Sequence, residues 1–155
     1  MGELKKRQEY EKYLREVKLT ADYIMALTES NIRPPIWEVP EKELFKALFI
    51  RFALNGNEKD SVLEQTKIYL NKASKEDIME WMCSLNSKHP SAEYIAEPMN
   101  NSFNLDGIMK ELIARINLFS QSNAYQKLMT INYTSMDSIF KPEEVPHMLL
   151  KQYFG

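Results

Sequence analysis

From Tyr10 onward, apolar or small side chains recur at Tyr13, Leu14, Val17, Ala21, Ile24 and Leu27, the three-and-four spacing of a single helix face. Glu11, Lys12, Arg15, Glu16, Lys18 and Asp22 fill the opposite face. The pattern predicts one amphipathic helix from about Glu3 to Glu29, roughly 40 Å long at 1.5 Å per residue. Asn31 and the Pro34-Pro35 pair end it. A proline-flanked linker follows, Ile32 to Pro40, whose residues favour extended backbone. Pro40 suits the first position of a second helix, where a missing N–H has no partner to lose. That helix, about 40–54, holds Leu44, Phe45, Leu48, Phe49, Ile50, Phe52 and Leu54. A helix apolar on nearly every side belongs in the middle of a fold, with Asn55-Gly56 as its expected left-handed stop.

Two further helices open on the same device. Ser61-x-x-Glu64 and Ser74-x-x-Asp77 both have capping-box spacing, the aspartate making the second the weaker of the two. Val62, Leu63, Thr66, Tyr69, Leu70 and Ala73 stripe the first; Ile78, Trp81, Met82 and Leu85 stripe the second. Residues 87–104 lack periodicity and read as a loop with one short helix around Ser91 to Glu97. Asp106 is then expected to cap a helix carrying Ile108, Met109, Leu112, Ile113, Ile116 and Phe119, broken at Ser120 to Asn123. Tyr125, Leu128, Met129 and Asn132 mark another, and Pro142 and Pro146 lead into a last one with Leu149, Leu150, Tyr153 and Phe154. The expected architecture is all-α: one domain over residues 1–155, a bundle of six or seven helices around the buried 40–54 helix.

Composition narrows the function classes. Four glycines, two of them at the ends of the sequence, leave no Gly-rich phosphate loop and no turn-dense β architecture. One cysteine and two histidines supply neither a disulfide framework nor a four-ligand zinc site. The 20 Lys/Arg and 22 Asp/Glu are spread evenly, with six of each sign in residues 1–30 and five of each in residues 31–60. Clustered cations, on which nucleic-acid affinity draws, are confined to Lys5-Lys6-Arg7, offset by Glu3, Glu9 and Glu11. The longest apolar stretch, Leu44 to Leu54, is interrupted by Lys46 and Arg51 and is far short of the roughly 20 residues of a bilayer span. A cytoplasmic address away from membranes is expected.

Chemistry-bearing residues stay scattered. Cys83, between Met82 and Ser84 on a patterned helix, reads as a small buried apolar residue rather than a nucleophile served by His89 or His147. Glu144-x-x-His147 matches half of a di-iron motif that has no second half. The acidic groups Glu58/Asp60/Glu64, Glu76/Asp77/Glu80 and Glu143/Glu144 fall in or before first turns, where the helix dipole favours anions. Methionines such as Met25, Met79, Met82, Met109, Met129 and Met148 occupy core-type positions and read as gap fillers. No catalytic residue, cofactor or metal is expected.

What remains is interaction. A ~40 Å first helix should overhang neighbours of about 20 Å, leaving Tyr10, Tyr13, Leu14 and Val17 in need of a partner, a second copy being the simplest. Ile36 and Trp37 either anchor another protein or fold back with Val39 as a strap over the core, and the strap is favoured. The expected function is binding of a macromolecule, a protein or a second copy, by a small regulatory or accessory factor. A nucleic-acid accessory role is the alternative. Ser74 to Met82 and the helix before it resemble helical core-binding segments of tyrosine recombinases over about fifteen residues, without their catalytic residues. The exposed Lys75, Glu76, Asp77 and Glu80 of that helix sum to negative, wrong for reading a groove. A second alternative is a ligand or enzyme site converging from distant residues such as Tyr69, Tyr94, Asn132 and Tyr133.

Overall fold

The computed structural model describes residues 2–28, 37–56 and 59–123. Periodicity governs them throughout. Six α-helices are formed: α1 (Gly2–Leu27), α2 (Glu38–Asn55), α3 (Val62–Lys72), α4 (Lys75–Ser84), α5 (Ala96–Asn100) and α6 (Leu105–Ser120). Two 3-10 turns, Pro90–Tyr94 and Ser102–Asn104, flank α5, and no strand occurs among the described residues. The architecture is an all-α bundle. Among the described residues no helix is long and apolar enough to cross a membrane. The helices expected after Asn123 lie outside the described residues.

The all-round apolar helix takes the centre. Leu44, Phe45, Ala47, Leu48, Phe49 and Ile50 of α2 are all fully buried, with Phe45 and Phe49 stacked at 5.4 Å. α1, α3, α5, α6 and the Pro90–Tyr94 turn all pack against it. α1 contributes Val17, Ala21, Ile24 and Met25; α6 contributes Leu105, Ile108, Leu112, Ile116 and Phe119. At roughly 25 cal/mol per Å² of apolar surface removed from water, this single cluster is the main stabilising term. Arg51 joins the far end, its guanidinium 5.0 Å from the Phe52 ring of α2, 4.4 Å from Tyr69 of α3 and 4.9 Å from Trp81 of α4. Met25, Met82 and Met109 are buried, as gap filling requires; Met129 and Met148 lie outside the described residues.

Several local expectations need correction. Pro40 is not the first residue of α2: the helix starts at Glu38 after Trp37, so Pro40 is its third. No first-turn N–H has a helical acceptor, and the Trp37 carbonyl is taken by Glu41 N–H at 2.8 Å, so a proline fits there equally well. Gly56 is extended, φ −77° and ψ 174°, not left-handed. Glycine is needed for space instead, because a Cβ would come within 2.4 Å of the Phe52 carbonyl and 2.2 Å of Gln65 Oε1. The order of the two capping boxes is reversed: Ser74 and Asp77 complete theirs, whereas Ser61 only accepts from Glu64 N–H. The shorter aspartate reaches back to the Ser74 N–H at 2.9 Å. Asp106 caps nothing, since α6 continues directly from the preceding 3-10 turn with Asn104 at its cap position. Residues 87–104 hold more helix than expected because Ser91, fully buried, donates to the Ala47 carbonyl at 2.7 Å and pins the segment to α2. Cys83 is exposed rather than buried: the apolar face of α4 is set by Ile78 and Met82, and the next position along points away.

Candidate functional site

The expected interaction stripe of α1 divides at Tyr13. Residues 2–12 are exposed on every side, about 16 Å of helix at 1.5 Å per residue. Tyr10 is 45% exposed and belongs to this projecting part. Tyr13 and Leu14 are half-buried against the core, Tyr13 donating its hydroxyl proton to the Ala53 carbonyl at 2.9 Å. Val17 is fully buried. Three of the four side chains thus pack into this chain's own core, which corrects the reading of an unpartnered stripe. The overhang is the charged part of α1, and its larger apolar side chains are Leu4 and Tyr10.

Trp37 packs back. Its ring lies on the backbone of α6 at Gly107, where a Cβ would come within 2.7 Å of Cη2 and 2.8 Å of Cζ3. Val39 does not join it and is 52% exposed, while Ile36 lies outside the described residues.

Gly107, Glu111 and Arg115 share one face of α6 at four-residue spacing, and that face meets the corner between α1 and α2. Arg115, 7% exposed, grips the corner from three directions. Nε donates to Thr28 Oγ1 at 3.0 Å, Nη2 to the Met25 carbonyl at 2.7 Å, and Nη1 to Glu41 Oε1 at 3.1 Å. Nη1 also stands 3.5 Å from Glu38 Oε2, and Lys42 pairs with the other Glu38 oxygen at 2.8 Å. The guanidinium therefore adds to the bonds that the Met25 carbonyl accepts from Thr28 in the last turn of α1, and pairs with the acidic first turn of α2. Glu41 is fully buried, with Glu111 facing it from α6. Burial foremost, then its hydrogen bond with Glu111, pushes the Glu41 carboxyl from its ordinary 4.5 up to about 8, against the pull of Arg115. The carboxyl is out of contact with solvent, and through Arg115 it helps hold three helices together.

Sequence reasoning missed this cluster, although one signal was available. Arg115 falls at three-and-four spacing with Leu112 and Phe119, a charged residue at a core position of α6.

On the elements that form this junction, and in the turn before α6, several apolar side chains face outward. Phe103, one turn before Gly107, is 99% exposed; Leu118, three residues after Arg115, is 59% exposed. Leu27 at the end of α1 and Val39 in the first turn of α2 are 44% and 52% exposed.

Among the described residues, Tyr69 and Tyr94 do not come together. Tyr69 lies against Arg51 and lines an open, mostly apolar groove of about 230 Å³ with Phe52, Ile68, Gln65, Asp60 and Lys72. Tyr94 sits elsewhere, under Lys46 at 4.7 Å and Lys18 at 5.6 Å, and Asn132 and Tyr133 lie outside the described residues. Burial above all raises the Tyr94 phenol, Lys46 opposing it. His89 accepts the Ser91 N–H at 3.0 Å on Nδ1, capping a 3-10 turn. Glu76, Asp77 and Glu80 are exposed on α4, an acidic face. Among the described residues no group of three or more His, Cys, Asp and Glu side chains is arranged to hold a metal ion. Comparison with known protein families, curated proteins and solved structures finds no match.

Proposed function

We propose that this chain is a non-catalytic helical protein that works by binding another protein, as a small regulatory or accessory factor. The observation that carries the reading is Phe103, an aromatic ring 99% exposed in the turn before α6, with Leu118 of α6, Val39 of α2 and Leu27 of α1 also outward-facing. Large apolar side chains left exposed are what an interface buries, and aromatic rings dominate interface energetics. The charged projection of α1 supplies a second contact, since three turns of helix that are exposed on every side among the described residues gain stability by docking. A cytoplasmic setting belongs to this proposal, because an exposed free thiol at Cys83 suits a reducing compartment.

The test pairs light scattering behind size exclusion with capture experiments, comparing the unaltered protein with the Phe103→Ser, Leu118→Ser double variant. The variant should keep its helical circular dichroism and melting temperature, because neither side chain is packed. It should lose either a dimer or a specifically retained partner. A variant that retains the same mass and the same set of bound proteins removes the reading.

A further inference from the structure

The exposed residues of α6 fall four apart: Asp106, Lys110, Ala114 and Leu118, with every other position of the helix buried or half-buried. Phe103, 99% exposed in the turn before, extends the same outward stripe. Asp106 and Lys110 have the spacing of an intrahelical ion pair, yet no ion pair joins them among the described residues. The stripe therefore presents an acid, a base, a small residue and a bare aromatic ring to solvent. That set is self-complementary. Turning the helix end over end about a two-fold axis beside Ile108 sets position 106 opposite position 110, and 110 opposite 106. The same turn carries the Phe103 ring over Ala114, the smallest side chain of the stripe.

We propose that this stripe is a self-association surface, on which α6 packs antiparallel against α6 of a second copy. Asp106 then faces the second copy's Lys110, Lys110 faces the second copy's Asp106, and each Phe103 ring covers an Ala114 across the axis. Every contact occurs twice, as an isologous interface requires. Charge selects this register over its neighbours. A parallel pairing sets lysine against lysine and aspartate against aspartate. An axis moved to between Lys110 and Glu111 would bring Phe103 onto Leu118, but it places the two Lys110 ammonium groups side by side. Size sets the strength. The stretch from Phe103 to Ala114, about 18 Å long, is far too short to bury the roughly 1,600 Å² of a standard interface, so association is weak and concentration-dependent. Two rings removed from water supply its apolar part, at roughly 150–250 Å² each. This pairing rests on the protein-binding reading above and gives it a partner, a second copy of this chain.

Sedimentation equilibrium of the full chain, from about 5 to about 500 μM at low salt, measures the association directly. A monomer–dimer equilibrium is expected, its dissociation constant rising about tenfold or more on Phe103→Ser. Asp106→Lys and Lys110→Asp should each weaken it by about the same factor, because each leaves like charges facing across the axis. The two together exchange the charges and should restore association to within about threefold of the unaltered chain. All three positions are exposed, so circular dichroism should stay helical in every variant. Restoration by the exchange is the outcome that an unrelated contact would not give. A chain that remains monomeric throughout overturns the pairing, as does a dimer indifferent to the single reversals or not recovered by the exchange. A monomer that still loses a captured protein on the Phe103→Ser, Leu118→Ser substitution leaves the broader reading standing and removes only the self-pairing.

Discussion

Arg115 donates to Glu41 across 74 positions of sequence, Nη1 to Oε1 at 3.1 Å, in a place where Glu41 is out of reach of solvent. The same guanidinium reaches back 90 residues to the Met25 carbonyl and 87 to Thr28. One side chain thereby fixes the relative position of the end of α1, the start of α2 and the middle of α6. A lysine, with one compact ammonium, has no comparable fork.

Arg115→Met should therefore destabilise strongly. Removing one partner of a buried ionic cluster typically costs about 3–5 kcal/mol, because the remaining polar groups stay buried without it. Urea unfolding should show the loss as a lower midpoint with little change in slope. Adding Glu41→Leu to Arg115→Met should recover part of the loss, since the uncompensated carboxyl is then removed as well.

Stability should fall as pH rises. Glu41 is held above its ordinary 4.5, so between there and about 8 the folded chain keeps a proton that the unfolded chain releases. The resulting stabilisation is complete at the acid end and is lost as pH climbs, by an amount on the order of 3 kcal/mol across the window. Glu16 and Glu43, also raised chiefly by burial, tilt stability the same way. Denaturant midpoints between about pH 5 and 8 should show a shallower slope in Glu41→Gln, with a residue of slope from those two.

Gly107→Ala tests how Trp37 is seated. Alanine gains about 1 kcal/mol of helix propensity over glycine, but its Cβ would lie 2.7–2.8 Å from the ring. Overpacking of this kind typically costs about 1–3 kcal/mol, so the net effect should be destabilising by about 1 kcal/mol. In a Trp37→Ala background the same substitution should reverse sign and stabilise by about 1 kcal/mol. Thermal melts of the four proteins in the cycle decide it, and strict additivity would show that the two residues do not touch.

Along α1 the effects should divide at Tyr13. Tyr10→Glu, on the projecting part, should leave the melting temperature nearly unchanged. Val17→Glu puts a carboxylate into the core and should unfold the chain or cost several kcal/mol. Tyr13→Phe should cost about 0.5–1.5 kcal/mol, the usual worth of a hydrogen bond such as the one to Ala53.

Where α1, α2, α3, α4 and α6 would form, and that α2 would be central, was legible in the residues themselves, because three-and-four apolar spacing is a local property of consecutive positions. Leu44 to Ala53, apolar on all sides, needs neighbours on all sides wherever the rest of the chain runs. Local chemistry was legible for the same reason: Ser74 and Asp77 cap a helix with atoms three residues apart.

Tertiary packing decided the rest. Whether Val17 would seek a second copy or its own α2 depends on how far along α1 the bundle begins, and that offset is written in no short window. Gly56 was read as a turn former, but it is needed because Gln65 crowds it from a different helix. The ionic junction is the extreme case. Glu41 looks like an ordinary surface charge in sequence, and only the crossing of α6 over the α1–α2 corner takes it and Arg115 out of water together. Burial changes the partners of both and raises the Glu41 carboxyl, and burial is a property of the whole chain's arrangement rather than of any residue's neighbours in sequence.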